Sequence, residues 1–174
     1  PHDTSSAASD VYKRQVDDEA PHGVCDEITN VSLTTTGTTF VPAQTFDDGS
    51  YDNCAPVTFE VSRDGINFGP FVTFDCDDLL VPTVPVTLHI IEVGNPASFT
   101  PCNVVVEVED KLVPVIQCPN GTTIDCDDDY SNLSIYGSPT VFDNCGATLT
   151  EATSEIIDMC GEGTITRIFT ATDS

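Results

Sequence analysis

The residues of this chain best equipped for chemistry are acidic. Asp and Glu number 29 against five Lys and Arg, a formal charge of −24. Carboxylate and amide oxygens are hard ligands of the kind Ca²⁺ prefers, and they recur in one repeated setting, Asp52-Asn53-Cys54 and Asp143-Asn144-Cys145. Other chemistries find no constellation. His22 and His89 are the only histidines after residue 15, and no G-x-S-x-G, H-E-x-x-H or P-loop accompanies them. The acidic run DCDDD, Asp125 to Asp129, is not an EF-hand, because its sixth position is Tyr130 where Gly is required and its twelfth is Tyr136 where Glu is required. It reads as a solvated acidic turn. N-x-S/T triplets begin at Asn30, Asn120 and Asn132, and in a Thr- and Ser-rich chain they carry little weight.

The same charge excludes a nucleic-acid backbone or an anionic membrane as partner, since both would be repelled. Eight cysteines occur without a C-x-x-C pair, so zinc ligation is a poor reading and disulfides a good one. Disulfides persist in oxidising surroundings, which makes the protein extracellular, either secreted or held at a cell surface, with no direct insertion into a membrane.

The elements that must position these residues are strands. Val104, Val106 and Val108 alternate with Val105, Glu107 and Glu109, the period of a half-buried strand. After Asp110-Lys111 a second apolar run begins, broken by Pro114. This seam divides the chain into 16–109 and 110–174, two small units joined without a linker. In the first, two Thr-rich runs split at Gly37 signal a hairpin. Further strands are expected at 57–62, 70–76 and 84–93. No stretch of ten residues shows helical periodicity, so the expected fold is all-β, with a sandwich for each unit. The second unit repeats the landmarks of the first in order and stops at Ser174, which makes it truncated before its last strand. Residues 5–15, SSAASDVYKRQ, resemble a translated sequencing-library adapter, and residues 1–15 are set aside as a non-native tail.

Cys118-Pro119 after a hydrophobic strand, the central Asp143-Asn144-Cys145 and the closing Thr170-Ala171-Thr172-Asp173 together resemble the HYR (hyalin) repeat and the HYR-like repeats of large secreted and surface proteins. The first unit is a more distant relative, with Glu92 in place of the signature Asp and no Pro after Cys25. The resemblance implies immunoglobulin-like β-sandwiches in tandem array and a structural or adhesive role. The partners expected are neighbouring repeats of the same chain, with a protein or glycan ligand open. The chain is then not an enzyme. The alternative is an accessory carbohydrate- or protein-binding module of a secreted enzyme. The absence of Trp and an aromatic content of 7% count against a sugar platform.

In an immunoglobulin-like sandwich the chain enters at the end bearing the second-to-third and sixth-to-seventh strand loops. That topology brings Asp143, Asn144 and Asp173 to the end where Glu109 and Asp110 arrive, a candidate Ca²⁺ site at the junction. Asp17, Asp18, Asp52, Asn53 and Glu92 form the matching set in the first unit. The competing reading is that these residues make side-chain turns in loops. Spacing leaves three connectivities open for four cysteines. The nested one is expected: Cys25 with Cys102, Cys54 with Cys76, and Cys145 with Cys160. Cys118 then lacks a partner and Cys126 is unassigned.

Overall fold

A computed structural model describes residues 17–125, 128–159 and 161–173. The adapter-like residues 5–15, together with Cys126 and Cys160, lie outside the described residues. The fold is all-β. Strands β1 (Ile28–Ser32), β2 (Thr38–Pro42), β3 (Val57–Ser62), β4 (Phe71–Asp75), β5 (Val84–Glu92) and β6 (Phe99–Glu109) form the N-terminal half. Strands β7 (Val115–Gln117), β8 (Thr140–Phe142), β9 (Ala147–Ile157) and β10 (Gly163–Asp173) form the C-terminal half.

In the N-terminal half a four-stranded sheet of order β1-β6-β5-β3 faces the β2-β4 pair. Both sheets contribute to one apolar core. Strict alternation along β5 sends Val84, Val86, Leu88 and Ile90 inward, where all four are buried, as the period-2 geometry of a strand demands. Val104 and Val106 meet them from β6, and Phe74 and Phe46 close the layer from the other side; Phe74, Phe46, Leu88 and Ile90 are fully buried. Burying each such side chain contributes about 1.5–3 kcal/mol. Cys25–Cys102 ties the segment before β1 to β6 across a separation of 77 residues, as expected.

Gly37 does not make a two-stranded hairpin. The turn is present, closed by Gly37 N–H to Thr34 O at 2.9 Å and Thr34 N–H to Thr38 O at 3.3 Å. Its two arms nevertheless join different sheets, β1 running parallel to β6 and β2 antiparallel to β4. The turn is a sheet switch because the inward residues of β1 and β2, Val31 and Val41, face each other across the core.

The C-terminal half consists of β7-β8 and β9-β10 pairs. No described residue beyond Val106 is buried, and polar pinning takes over. Arg167 on β10 donates to Leu133 O at 3.0 Å and Gly137 O at 2.7 Å. It also pairs with Glu151 on β9 at 2.6 Å and lies 4.7 Å from the centre of the Phe169 ring. Among the described residues β10 is paired on one edge, whereas β5, which follows Asp52-Asn53-Cys54 as β10 follows Asp143-Asn144-Cys145, is paired on both.

The halves are joined covalently. Cys76 bonds to Cys145, with Cα atoms 5.3 Å apart, which replaces the expected pairs Cys54–Cys76 and Cys145–Cys160. Cys54 and Cys118 are unpaired and exposed. Cys54 and Cys76 lie at opposite ends of the sandwich. Cys54 precedes Val57, which stands opposite Glu92 at one end of β5. Cys76 sits beside Gly37, on the turn that follows Leu33, whose N–H bonds Glu109 O at the far end of β6. Strands of this length hold the two ends roughly 30 Å apart, beyond the ~7 Å a disulfide can span.

Candidate metal centre

Asp110 leaves β6 and enters the C-terminal half; its Oδ1 accepts the Leu112 N–H at 2.9 Å. Asp143 lies in the loop between β8 and β9, where its Oδ2 accepts the Cys145 N–H at 3.0 Å. Each carboxylate thus spends one oxygen on its own turn, the role the loop reading assigned to both. The second oxygen is different. Asp110 Oδ2 and Asp143 Oδ1 are buried and accept no hydrogen bond, and neither does Asn144 Oδ1. Burying a polar atom without a partner costs of order 1–3 kcal/mol.

Asp173, at the end of β10 opposite Ala147, completes the group. One carboxylate oxygen each from Asp110, Asp143 and Asp173 lies within 4.8 Å of the others. Three chain segments far apart in sequence therefore meet at the junction, as the topological argument required. At an effective dielectric of about 20, two carboxylates at that spacing repel by roughly 3 kcal/mol. The nearby Lys111 is drawn to Glu109, 2.7 Å away. Oxygens bound to Ca²⁺ at about 2.3–2.6 Å can stand up to about 5 Å apart, so the donor set and its spacing both fit that ion. The residues that would hold it are Asp110, Asp143 and Asp173.

The disulfide stands beside this cluster. Cys76 Sγ lies 3.4 Å from both Gly37 O and Asn144 O. A Cβ at Gly37, where φ is +71°, would fall 2.6 Å from Asn144 O and 2.8 Å from Cys76 Sγ. Glycine is therefore what allows the Asp143-Asn144-Cys145 loop to seat against the first sandwich.

The matching set in the N-terminal half is only partly assembled. Asp52 Oδ1 accepts the N–H groups of Cys54 and Ala55 at 2.9 and 3.0 Å. Those two donors, Cys54 first, hold its carboxyl below the usual range. Asp17 lies close enough to lower the pKa of the Asp52 carboxyl and raise that of the Cys54 thiol, and its Oδ2 is buried without a partner. Glu92 is buried at the end of β5 and accepts from Asn95 Nδ2 at 3.2 Å. Asn53 is held by Glu19 at 3.0 Å, and Asp18 is exposed. Among the described residues only the Asp110, Asp143 and Asp173 set closes to ligand spacing.

Asp125, Asp128 and Asp129 form a self-bonded turn, with Asp128 Oδ2 accepting the Asp125 N–H and Asp129 Oδ1 accepting the Ser131 N–H, each at 2.9 Å. His22 rests against Tyr51, and His89 is stacked between Phe68 and Phe99.

Sequence reasoning missed the partner of Cys145. The signal was present: the topology that sends Asp143 and Asn144 to the junction sends the adjacent Cys145 with them, toward the preceding unit. No protein-family model matches the chain, and neither the curated proteins nor the solved structures contain a match.

Proposed function

We propose that the chain is a non-catalytic, extracellular structural or adhesion module of the HYR-like kind. Its two β-sandwich units are held in fixed relation by a disulfide and by Ca²⁺ at their junction. One observation carries this reading: carboxylate oxygens from three separate segments converge beside a disulfide that itself crosses between the halves. A hinge would suit neither feature, because a disulfide fixes distance and a cation removes the repulsion that would splay the loops. Joined end to end, such units transmit force or span distance from a surface, and their high negative charge keeps them soluble. The units being small, covalent and ionic ties replace the buried core that the described residues of the C-terminal half do not form.

Thermal unfolding of the chain with millimolar Ca²⁺ against chelator tests the cation. At a hundredfold excess over Kd a bound ion stabilises by about 2.7 kcal/mol, which for a chain of this size raises Tm by roughly 5–10 °C. Asp143→Ala removes the increment. A Tm indifferent to Ca²⁺ in the unaltered chain refutes the cation part of the reading.

A further inference from the structure

The entry face of the N-terminal half repeats the main landmarks of the face by which the C-terminal half is docked. In the C-terminal half Asp143-Asn144-Cys145 precedes β9, Asp110 arrives on the entering segment, and Asp173 stands at the end of β10. There Cys145 bonds to Cys76 of the preceding half, beside Gly37. In the N-terminal half Asp52-Asn53-Cys54 precedes β3, Asp17 arrives on the entering segment against Asp52 and Cys54, and Glu92 stands at the end of β5. One orphaned oxygen also corresponds, Asp17 Oδ2 to Asp110 Oδ2. At the cysteine the two faces differ: Cys145 is bonded, whereas Cys54 is a free, exposed thiol.

We infer that this face receives a preceding sandwich of the same design, and that Cys54 closes a disulfide to the cysteine that sandwich presents where this one presents Cys76. The partner is defined by what the existing junction requires. It offers a tight turn with glycine at the contact and a cysteine directly after its fourth strand, and its last strand runs into the segment that carries Asp17. A redox-active role for Cys54 is a poorer fit, because desolvation and the Asp17 carboxylate hold its thiol pKa above the ordinary value, the opposite of an activated thiol. Closure is an exchange with a small disulfide such as oxidised glutathione. One thiolate displaces a glutathione thiol to form a mixed disulfide; the second cysteine then displaces the other, leaving one protein disulfide and two glutathione thiols.

The inference rests on the disulfide junction and not on the cation, so the test is run in chelator. An extra copy of residues 17–109, the half that holds the whole buried core, is joined directly ahead of residue 17 of the chain and refolded in a glutathione redox buffer. Peptide mapping without reduction should find Cys76 of the leading copy bonded to Cys54 of the following one. Maleimide labelling of that Cys54 should fall at least tenfold relative to the unfused chain. Gly37→Val in the leading copy alone should restore labelling, because a side chain there blocks the seat. The Cys25–Cys102 bonds report in the same map that each copy has folded. Labelling of Cys54 that is unchanged while those bonds are present overturns the inference. If the fusion does not fold, the full chain carrying Cys145→Ser, which frees Cys76, is oxidised at high concentration. Chains linked from Cys76 to Cys54 support the inference, and random or absent cross-links overturn it.

Discussion

Replacing Gly37 by alanine separates two costs that usually arrive together. The first is conformational: at φ +71° a Cβ crowds the following carbonyl, which costs about 1–2 kcal/mol. The second is steric and belongs to the junction, because the new Cβ would lie 2.6 Å from Asn144 O and 2.8 Å from Cys76 Sγ. Ordinary contact begins near 3.4 Å, so the loop must retreat by several tenths of an ångström, and overpacking of that kind costs about 1–3 kcal/mol. Gly65 supplies the control. Its φ is +70°, and an added Cβ there meets nothing within 4 Å, so Gly65→Ala carries the conformational cost alone. For a unit of roughly 90 residues each kcal/mol lowers Tm by about 4–8 °C. Thermal unfolding of both variants should show Gly37→Ala falling further than Gly65→Ala by roughly 4–24 °C. Peptide mapping should also show slower closure of Cys76–Cys145 in the Gly37 variant alone, with a smaller Ca²⁺ increment because Asp143 and Asn144 move with the loop. Equal losses at the two glycines, with Cys76–Cys145 closing at the same rate, would refute the argument that glycine is there to seat the loop.

Leu88 is fully buried at the centre of β5, so Leu88→Ala should cost about 2–5 kcal/mol in denaturant unfolding, through lost burial and the cavity left behind. Asp78, also buried, accepts hydrogen bonds from Arg63 Nη1 and Nη2 and caps the turn after β4 by accepting the Asp75 N–H at 3.0 Å. Asp78→Ala should cost about 2–3 kcal/mol by the same assay, with Arg63 left partly to solvent. The His89 ring lies between Phe68 and Phe99, with centroids 3.6 and 4.4 Å away. Desolvation lowers its pKa against the opposing pull of Glu60. The unfolded chain then takes up a proton first, so stability is full above about pH 6.5 and declines as pH falls toward the folded-state value. An imidazole titration by NMR should place the midpoint below the ordinary value, and His89→Gln should remove this part of the pH dependence.

The oxygen cluster was legible in the sequence because it follows from connectivity. Once strands alternate between the ends of a sandwich, the loop holding Asp143 and Asn144 and the end of the strand holding Asp173 are directed to one end, and the seam brings Asp110 to the same place. What connectivity leaves open is distance. The first set, Asp17, Asp52 and Glu92, obeys the same topology, yet its carboxylates do not close to ligand spacing among the described residues, since Glu92 turns to Asn95 and Asn53 to Glu19.

By itself the sequence determined the all-β character and the alternating faces of β6, because alternation with period two is a local consequence of strand geometry. The sheet switch at Gly37 and the Cys76–Cys145 bond were decided only by the tertiary structure. Both depend on which surfaces meet across the core or the junction, and a pair of cysteines 69 residues apart is chosen by proximity in space, to which spacing along the chain is nearly blind.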